Sequence, residues 1–398
     1  MARPGIVQRL IQQHAELNRQ SLVRRLRLVE QRDGVRARVK GVELLNFCSN
    51  DYLGLADHVE VVGALQEAAA HHGLGATASH LVCGHHREHQ ALEDAVEEWL
   101  GYPRALCFGS GYLANLAVIQ SLLGRGDICV ADKLNHASLI DAVQLAGCEH
   151  KRYPHADFEG ALRQLKSSPE ALAMIATDGV FSMDGDLAPL KMLALLARAE
   201  NATLYVDDAH GAGVIGPHGR GSAAYAGLGP REVPLNLVTL GKAFGGYGAV
   251  LAGSTELIEG VLQSARAYRY TTALPPALAA AGRVAIGLAQ KETWRRFKLT
   301  ALVSRFRRGA QQLGLPLMES LTPIQPLLVG GNSAALFAAR ELEKRGILVT
   351  AIRPPTVPEG RARLRVALSA LHGEGDVDRL LSVLGEIFQR LPSDTEKA

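Results

Sequence analysis

The sequence predicts an α/β fold, in which a mainly parallel β-sheet is covered by helices on both faces and is followed by a smaller α+β unit. From about residue 60, short apolar runs alternate with helix-length segments, and each run ends in small or polar residues. After about residue 290 this alternation stops. Nearly continuous apolar runs are typical of strands buried on both faces. The runs interpreted as strands are RALCF, DICVAD, LAMIATD, ATLYVD, LNLVTL and GAVLAG.

The chain is predicted to have three parts. Residues 1–60 form an N-terminal arm with a surface helix leading into the strand VELLNF, residues 61–290 form the large domain, and residues 291–398 form a small C-terminal α+β domain. The basic stretch SLVRRLRLVEQRDGVRARVK could also signal mitochondrial import or an RNA-binding arm. Because apolar residues interleave with its arginines at helical spacing, we favour a surface helix.

Charge and cysteine content limit the classes of partner. The 398 residues include 43 basic and 40 acidic side chains, for a net charge of +3, so neither nucleic acid nor an anionic membrane is indicated. The five cysteines form no C-x-x-C pair, which favours reduced thiols. No apolar run approaches the roughly 20 residues of a membrane span. We therefore expect a soluble cytoplasmic protein that binds small molecules.

A glycine turn, FGSGYLAN at 108–115, follows the strand RALCF and opens a helix. Gly109, Gly111 and Ala114 fit the pattern G-x-G-x-x-G/A, and Asp132 lies about twenty residues further on, where a ribose-binding acid would stand in a nicotinamide dehydrogenase. Such a turn also presents backbone N–H groups to any phosphate. The turn therefore predicts a phosphate site, with a purely structural turn as the alternative.

Two acids and a histidine stand at a strand end in YVDDAHGAG, residues 205–213. Neighbouring strand residues point to opposite faces, so only one of Asp207 and Asp208 can face a cleft with the strand's other inward groups. A metal site with His210 would lack a clear third strand, and we expect no metal. A buried carboxylate beside a histidine suits a cationic ring nitrogen, whereas the alternative is a surface turn.

The stretch TLGKAFGGYGA, residues 239–249, holds a single lysine, Lys242. A P-loop is excluded because position 236 is Asn and position 243 is Ala. The lysine is either a solvated loop residue or an amine that forms a Schiff base in an apolar setting. A phosphate turn, a carboxylate and such a lysine are together what a pyridoxal phosphate site requires.

With these motifs, residues 20–390 resemble the α-oxoamine synthases, fold-type I pyridoxal phosphate enzymes that join an amino acid to an acyl thioester with loss of carbon dioxide. The resemblance implies a mainly parallel seven-stranded sheet, pyridoxal 5′-phosphate as cofactor, and a homodimer with shared sites. It implies catalytic roles for Lys242, His136 and Asp207. The residues it assigns to the cofactor are Gly111, Tyr112, His136, Ser182, Asp207, His210, Thr239, Lys242, Thr271 and Thr272.

The stretch VTAIRPPTVPEG, residues 349–360, resembles the branch that condenses L-alanine with a pimeloyl thioester of coenzyme A or acyl carrier protein to 8-amino-7-oxononanoate in biotin formation. Arg353 could bind the second carboxylate of a pimeloyl chain, unless it is merely a surface residue. Thr356 and Arg24 resemble further substrate contacts. Asn50 and Arg365 match groups that hold the amino-acid carboxylate, for which an arginine fork is suited.

Two rival activities remain open. Within the family, a ligase could join glycine to acetyl-CoA to give 2-amino-3-ketobutyrate. From another class, a nicotinamide dehydrogenase would use the turn at Gly109 but would leave Lys242 without a role.

The segment GLGATASHLVCGHHREHQALE departs from the GSGGSR-like pattern of many family members at Ala76, Thr77 and His80. Its HHREH run could suggest a metal. Since only His85 and His89 lie at i, i+4 spacing, we expect surface histidines and no metal.

Overall fold

The computed structural model describes Arg3 and residues 5–391, and the chain divides into two compact units. Unit 1 comprises residues 1–49, 183–185 and 300–398, and unit 2 comprises residues 50–182 and 186–299. Residues 1, 2, 4 and 392–398 of the predicted arm and C-terminal domain lie outside the described residues.

The elements follow one another in chain order. The first are α1 (Ile6–Arg19), β1 (Gln31–Asp33), β2 (Arg36–Val39) and β3 (Val42–Asn46). Next come α2 (Val59–His72), a π-helical turn (His80–Gly84), α3 (Arg87–Leu100), β4 (Arg104–Phe108), α4 (Gly111–Leu122), β5 (Ile128–Asp132), α5 (Ala137–Ala146), β6 (Glu149–Tyr153), α6 (Phe158–Lys166) and β7 (Ala173–Asp178). These are followed by α7 (Leu190–Ala199), β8 (Thr203–Asp207), a 3₁₀ turn (Pro217–Gly219), α8 (Gly221–Tyr225), β9 (Leu235–Thr239), β10 (Ala249–Gly253), α9 (Thr255–Ser264), α10 (Arg266–Arg269) and α11 (Pro276–Lys291). The last are α12 (Trp294–Gln312), β11 (Ile324–Gly330), α13 (Asn332–Lys344), β12 (Ile347–Leu348), β13 (Thr350–Ile352), β14 (Ala362–Ala367) and α14 (Glu374–Phe388).

Unit 2 is built on a seven-stranded sheet in the order β4-β10-β9-β8-β7-β5-β6. The strands pair in parallel from β9 to β6, and β10 runs antiparallel to both of its neighbours. Strands β5, β9 and β10 are buried along nearly their whole length, as expected for a sheet with helices on both faces. The predicted α/β fold with a mainly parallel seven-stranded sheet is confirmed.

The sheet brings polar side chains to one edge. Asp132, Asp178 and Asp207 are the last residues of β5, β7 and β8, and Thr239 ends β9. The register pairs Asp178 directly with Asp207. Because the carboxyl ends of parallel strands form the usual ligand site of open α/β sheets, this edge is where a site is expected.

Unit 1 contains a four-stranded sheet, β1-β2-β3-β12, and a three-stranded sheet, β11-β14-β13. The segment after residue 312 follows the predicted order of strand, helix, strand, strand, helix, with β12 and β13 as two short strands. None of the helices in the described part of the chain is both long enough and apolar enough to cross a membrane.

The unit boundaries differ from those expected at residues 60 and 290. The Arg295 Nη1 group donates to the Leu53 carbonyl over 2.8 Å, and the Tyr52 hydroxyl hydrogen bonds to His210 Nδ1 over 2.7 Å. These bonds attach residues 50–54 and the start of α12 to unit 2. Contacts of this kind between distant residues give no local signal in the sequence.

We expect a His155→Gln variant to unfold more easily than the native chain at neutral pH. His155 bridges Asp132 and Asp186, at 3.1 and 2.7 Å. Burial lowers its pKa, but hydrogen bonds and charge attraction from the two carboxylates outweigh burial and raise the pKa to about 10. Hydrogen bonds to charged groups contribute about 1.5–3 kcal/mol, so a loss of about 2 kcal/mol is expected.

The pH dependence of this loss has a definite sign. The folded-state pKa of His155 lies above its unfolded value of about 6.5, so its contribution to stability is fully present below that pH. The contribution disappears as the pH rises through about 10. Urea unfolding of the native protein and of His155→Gln across this pH range measures the difference in the free energy of unfolding. A difference in stability that stays constant up to and beyond about pH 10 would contradict the assignment.

Candidate active site

A cavity of about 340 Å³ opens at the carboxyl ends of the parallel strands in unit 2. The sequence-predicted cofactor residues that line it are Gly111, Tyr112, His136, Ser182, Asp207, His210, Thr239 and Lys242. These residues come from five strand-to-helix or strand-to-strand connections that are far apart in the sequence. Only the folded sheet brings them together.

The N-terminus of α4 forms one wall of the cavity. The Ser110 side chain caps this helix by accepting from the Leu113 amide over 3.2 Å. A Cβ at Gly111 would lie 2.7 Å from the Thr239 Cγ2 methyl, so glycine lets the turn approach the end of β9. Free backbone N–H groups and the positive end of the helix dipole make this wall suitable for a phosphate group.

Asp207 is held by an amide side chain. Asn115 donates from Nδ2 to Asp207 Oδ2 over 2.7 Å and to the Ser138 hydroxyl oxygen over 2.8 Å. The Tyr205 hydroxyl donates to Asn115 Oδ1 over 2.6 Å, which fixes the amide with its NH₂ group towards Asp207. Ser138 in turn lies 2.7 Å from His136 Nδ1. One hydrogen-bonded chain therefore orients the carboxylate and the imidazole.

The side chain of the adjacent aspartate, Asp208, points away from the cavity and towards Ser222. Asp208 is fully buried outside the cavity, where its carboxylate accepts from the Ser222 amide over 2.7 Å and from the Ser222 hydroxyl. Burial raises the pKa of Asp208 to about 7, against the lowering effect of these two hydrogen bonds. The alternation of side chains along and just after a strand thus leaves Asp207 as the acid of the cavity.

His136 is the N-cap of α5 and is held near Lys242. Burial lowers the pKa of His136, the nearby Lys242 lowers it further, and Asp207 opposes both. The imidazole is therefore neutral at neutral pH. Asp178, which also lines the cavity, accepts from the His136 amide over 3.3 Å, and burial together with Asp207 raises its pKa well above the usual range.

Asn50 and His210 belong to one local hydrogen-bond group. The buried Tyr52 hydroxyl donates to Asn50 Oδ1 over 3.1 Å and lies 2.7 Å from His210 Nδ1. The Tyr52 hydroxyl thus links Asn50 to His210, a residue that lines the cavity.

Asp132 does not line the cavity. Its carboxylate accepts from the Leu134 and Ala156 amides, each over 2.8 Å, and from His155 over 3.1 Å. The nicotinamide interpretation therefore loses the acid that it needs for a ribose.

Thr271 and Thr272 are also outside the cavity of their own chain. They follow α10, where Thr271 is half-buried and Thr272 is exposed.

The remaining predicted substrate residues belong to unit 1. A second cavity, of about 1010 Å³, is lined by Arg24, Arg353 and Thr356 together with further arginines. Arg24 donates from Nη2 to the Thr356 hydroxyl over 2.9 Å, and Arg353 donates to the Ser21 carbonyl. The Nε group of Arg353 is buried and has no hydrogen-bond partner in the described chain. Arg365 is buried on β14 and does not line this cavity.

Burial and the neighbouring Arg24 both lower the pKa of Arg353. An unpaired guanidinium nitrogen next to a second arginine favours binding of an anion. A carboxylate of a substrate would satisfy this nitrogen.

Sequence reasoning assigned no role to five polar residues of the first cavity. They are Ser110, Asn115, Ser138, Asp178 and Tyr247. Asn115 and Ser138 are buried residues of α4 and α5, and since both helices carry further polar residues, no sequence signal distinguished them. Asp178 was visible as a strand-end acid.

The donor set of the first cavity fits pyridoxal 5′-phosphate. A helix N-terminus without an interfering side chain at Gly111 suits the phosphate, and an oriented carboxylate at Asp207 suits the ring nitrogen. Lys242 lines the same space and can bind an aldehyde.

Comparisons with known proteins agree with this chemistry. The family model "Aminotransferase class I and II" matches residues 42–384. The chain is 57% identical over 395 residues to an 8-amino-7-oxononanoate synthase of Xylella fastidiosa (strain M12), covering 99% of this chain and 98% of the relative. It is 58% identical over 385 residues to one of Xanthomonas campestris pv. campestris (strain B100), covering 96% of each.

Two solved structures have a fold similar to that of this chain. A serine palmitoyltransferase from S. paucimobilis with a bound PLP–myriocin aldimine has a TM-score of 0.93 and 26% identity, covering 98% of this chain and 99% of that chain. An 8-amino-7-oxononanoate synthase from Francisella tularensis has a TM-score of 0.76 and 29% identity, covering 87% of this chain and 98% of that chain.

Proposed function

The chain belongs to the class I and II aminotransferase family, and we propose that it uses pyridoxal 5′-phosphate to condense L-alanine with a pimeloyl thioester in biotin biosynthesis. The products are 8-amino-7-oxononanoate, carbon dioxide and the free thiol carrier, which is coenzyme A or acyl carrier protein. The observation that carries the proposal is that Lys242, Asp207 and the N-terminus of α4 line one cavity.

The cofactor, when bound, supplies an electron sink for the charge that develops at the α-carbon of alanine. The Asp207 carboxylate would keep the proton on the ring nitrogen, and Asn115 would hold that carboxylate in place. The Lys242 Nζ amine would hold the aldehyde of the cofactor and would serve as the general base for the α-proton of alanine.

His136 and the helix N-terminus complete the proposed cofactor site. The α4 N-terminus, with Thr239 beside it, would hold the phosphate, and Ser182 and His210 would contact the cofactor. The neutral His136 imidazole would lie against the ring and polarise the thioester carbonyl. Its Nδ1 contact with Ser138 fixes the direction of the imidazole ring.

The substrate carboxylates are assigned to separate groups. Asn50 and Arg365 would hold the carboxylate of alanine. Arg353, with Arg24 and Thr356, would hold the distal carboxylate of the pimeloyl chain, which the buried Nε group of Arg353 supports. An acetyl chain has no such carboxylate, so this group favours the pimeloyl donor over acetyl-CoA.

We assign Thr271 and Thr272 to the cofactor phosphate of a second copy of this chain. Their position outside the cavity of their own chain supports a homodimer with shared sites. The five cysteines are all free, which supports a place in the cytoplasm.

The activity is tested with purified enzyme. Alanine plus pimeloyl thioester should give 8-amino-7-oxononanoate much faster than glycine plus acetyl-CoA gives 2-amino-3-ketobutyrate. Both pimeloyl-CoA and a pimeloyl acyl carrier protein should be supplied. Turnover of glycine and acetyl-CoA alone would show that the rival ligase activity is correct.

We expect Arg353→Ala to raise KM for the pimeloyl thioester by about 10- to 100-fold, because a charge-assisted pair contributes about 1.5–3 kcal/mol. KM for alanine should change little. Steady-state kinetics with each substrate varied in turn measure both constants. Arg340→Ala is the matched control, since Arg340 is exposed in the same cavity. An equal rise in KM for both variants would mean that the cavity attracts anions without a specific role for Arg353.

A further inference from the structure

Three histidines outside the active-site cavity come together in unit 2. His80 begins the π-helical turn, His85 follows that turn, and His89 lies in the first turn of α3. One ring nitrogen of each lies within 4.8 Å of the others. The expectation of surface histidines in the HHREH run is wrong for His89, which is 0% exposed, and His80, which precedes that run, is 7% exposed.

The π-helical turn is the reason that sequence spacing missed this cluster. It contains Gly84, where a Cβ would lie 2.0 Å from the Ala78 carbonyl oxygen, so the chain can fold back tightly only with glycine there. This turn brings His80 next to His85 and His89. The i, i+4 spacing in the sequence relates only the latter two.

The ring nitrogens of His80 and His85 face each other. Their Nδ1 atoms are 3.0 Å apart. Neutral imidazole is the form that binds metal ions.

The rings are also held in place from outside the cluster. His89 donates from Nε2 to the Leu274 carbonyl over 2.5 Å, and His80 stacks on the Tyr268 ring at a centroid distance of 4.6 Å. Histidines that bind metals usually donate their second N–H to a carbonyl or carboxylate in this way. The remaining nitrogen of His89, Nδ1, accepts from the His86 amide over 2.9 Å, and a metal would replace that bond.

A carboxylate beside the cluster can balance the charge of a cation. Glu93 is buried, with Oε2 3.9 Å from His85 Nε2, and Oε1 accepts from the Cys107 amide over 2.7 Å. Because His85 is exposed, water can complete the coordination from the solvent side.

We propose that His80, His85 and His89 form a binding site for one divalent transition-metal ion of the zinc type per chain. Three imidazole ligands suit Zn²⁺, Ni²⁺ and Cu²⁺ rather than Mg²⁺ or Ca²⁺. The ion is structural, because it fixes residues 80–89 against residues 268–274. The Ala273 amide already donates to the Ala78 carbonyl over 3.0 Å, so the ion would strengthen an existing connection.

Calorimetric titration with ZnCl₂ tests the proposal. The sample is the holoenzyme without an affinity tag, treated with a chelator and freed of unbound cofactor. We expect saturable binding of one Zn²⁺ per chain and a rise in Tm on binding. His85→Ala should weaken binding by at least about 10-fold while circular dichroism shows an intact fold, since His85 is exposed.

Two control variants separate this site from others. His71→Ala removes an exposed histidine outside the cluster, and Cys83→Ser removes an exposed thiol on the π-helical turn; both should bind Zn²⁺ like the native enzyme. Native affinity in His85→Ala, loss of binding in Cys83→Ser, or only weak and unsaturable uptake would overturn the proposal. None of these measurements depends on catalytic activity.

Discussion

Replacing Lys242 with alanine is expected to lower kcat by at least about 10⁴-fold, because the variant loses both the covalent attachment of the cofactor and the base for the α-proton. Lys242 lines the cavity with Asp207 and His136, and its charge contributes to the lowered pKa of His136. In the cofactor-free protein, the pKa of His136 should therefore rise when Lys242 is replaced. The loss of kcat is measured separately, on the enzyme supplied with cofactor.

Steady-state assays, the visible spectrum and borohydride reduction followed by peptide mapping measure the effect. The native enzyme should be labelled by the cofactor on the peptide that contains Lys242, and the variant should not be labelled there. Lys191→Ala, at an exposed position of α7, is the control and should keep native activity. A labelled peptide elsewhere in the native enzyme would refute the assignment of Lys242.

The second large effect is expected for Asp207→Asn, which should lower kcat by about 10²- to 10⁴-fold. The asparagine keeps the size of the side chain and can still accept a hydrogen bond from Asn115, but it has no negative charge to keep a ring proton in place. Cofactor should therefore still bind, while its absorption spectrum and its pH dependence change.

The neighbouring Asp208 offers a matched control. It is buried and bonded to Ser222 outside the cavity, so Asp208→Asn should lower the free energy of unfolding by about 1–3 kcal/mol and leave kcat nearly unchanged. Kinetics and urea unfolding of the two variants separate the two roles. If Asp208→Asn instead loses kcat at native stability, the assignment of the cavity acid is wrong.

The apolar runs were sufficient to predict the main strands of the sheet, because parallel strands are buried on both faces. The predicted family, the pyridoxal phosphate cofactor and the acyltransferase activity are confirmed by the relatives. Strand β6 was not predicted, since EHKRY is an edge strand with exposed, charged residues and no apolar run. Its pairing with β5 is a tertiary property.

Local motifs located the side chains of the cavity that lie at strand ends or shortly after them, such as Asp207 and Lys242. They did not locate Asn115, whose role depends on contacts with Tyr205 and Ser138 that are 90 and 23 residues away in the chain. The cluster around His80 was missed for a similar reason. A π-helical turn changes which residues are neighbours, and periodicity counts assume regular helix.

The amide of Asn115 stands between the two ends of the hydrogen-bonded chain in the cavity. Between the Asp207 carboxylate and the His136 imidazole stand only an amide and a hydroxyl, neither of which titrates in the physiological range. The Tyr205 hydroxyl also prevents the amide from turning over. Asn115 therefore holds the Asp207 carboxylate and the Ser138 hydroxyl in fixed positions through an amide that carries no charge at any physiological pH.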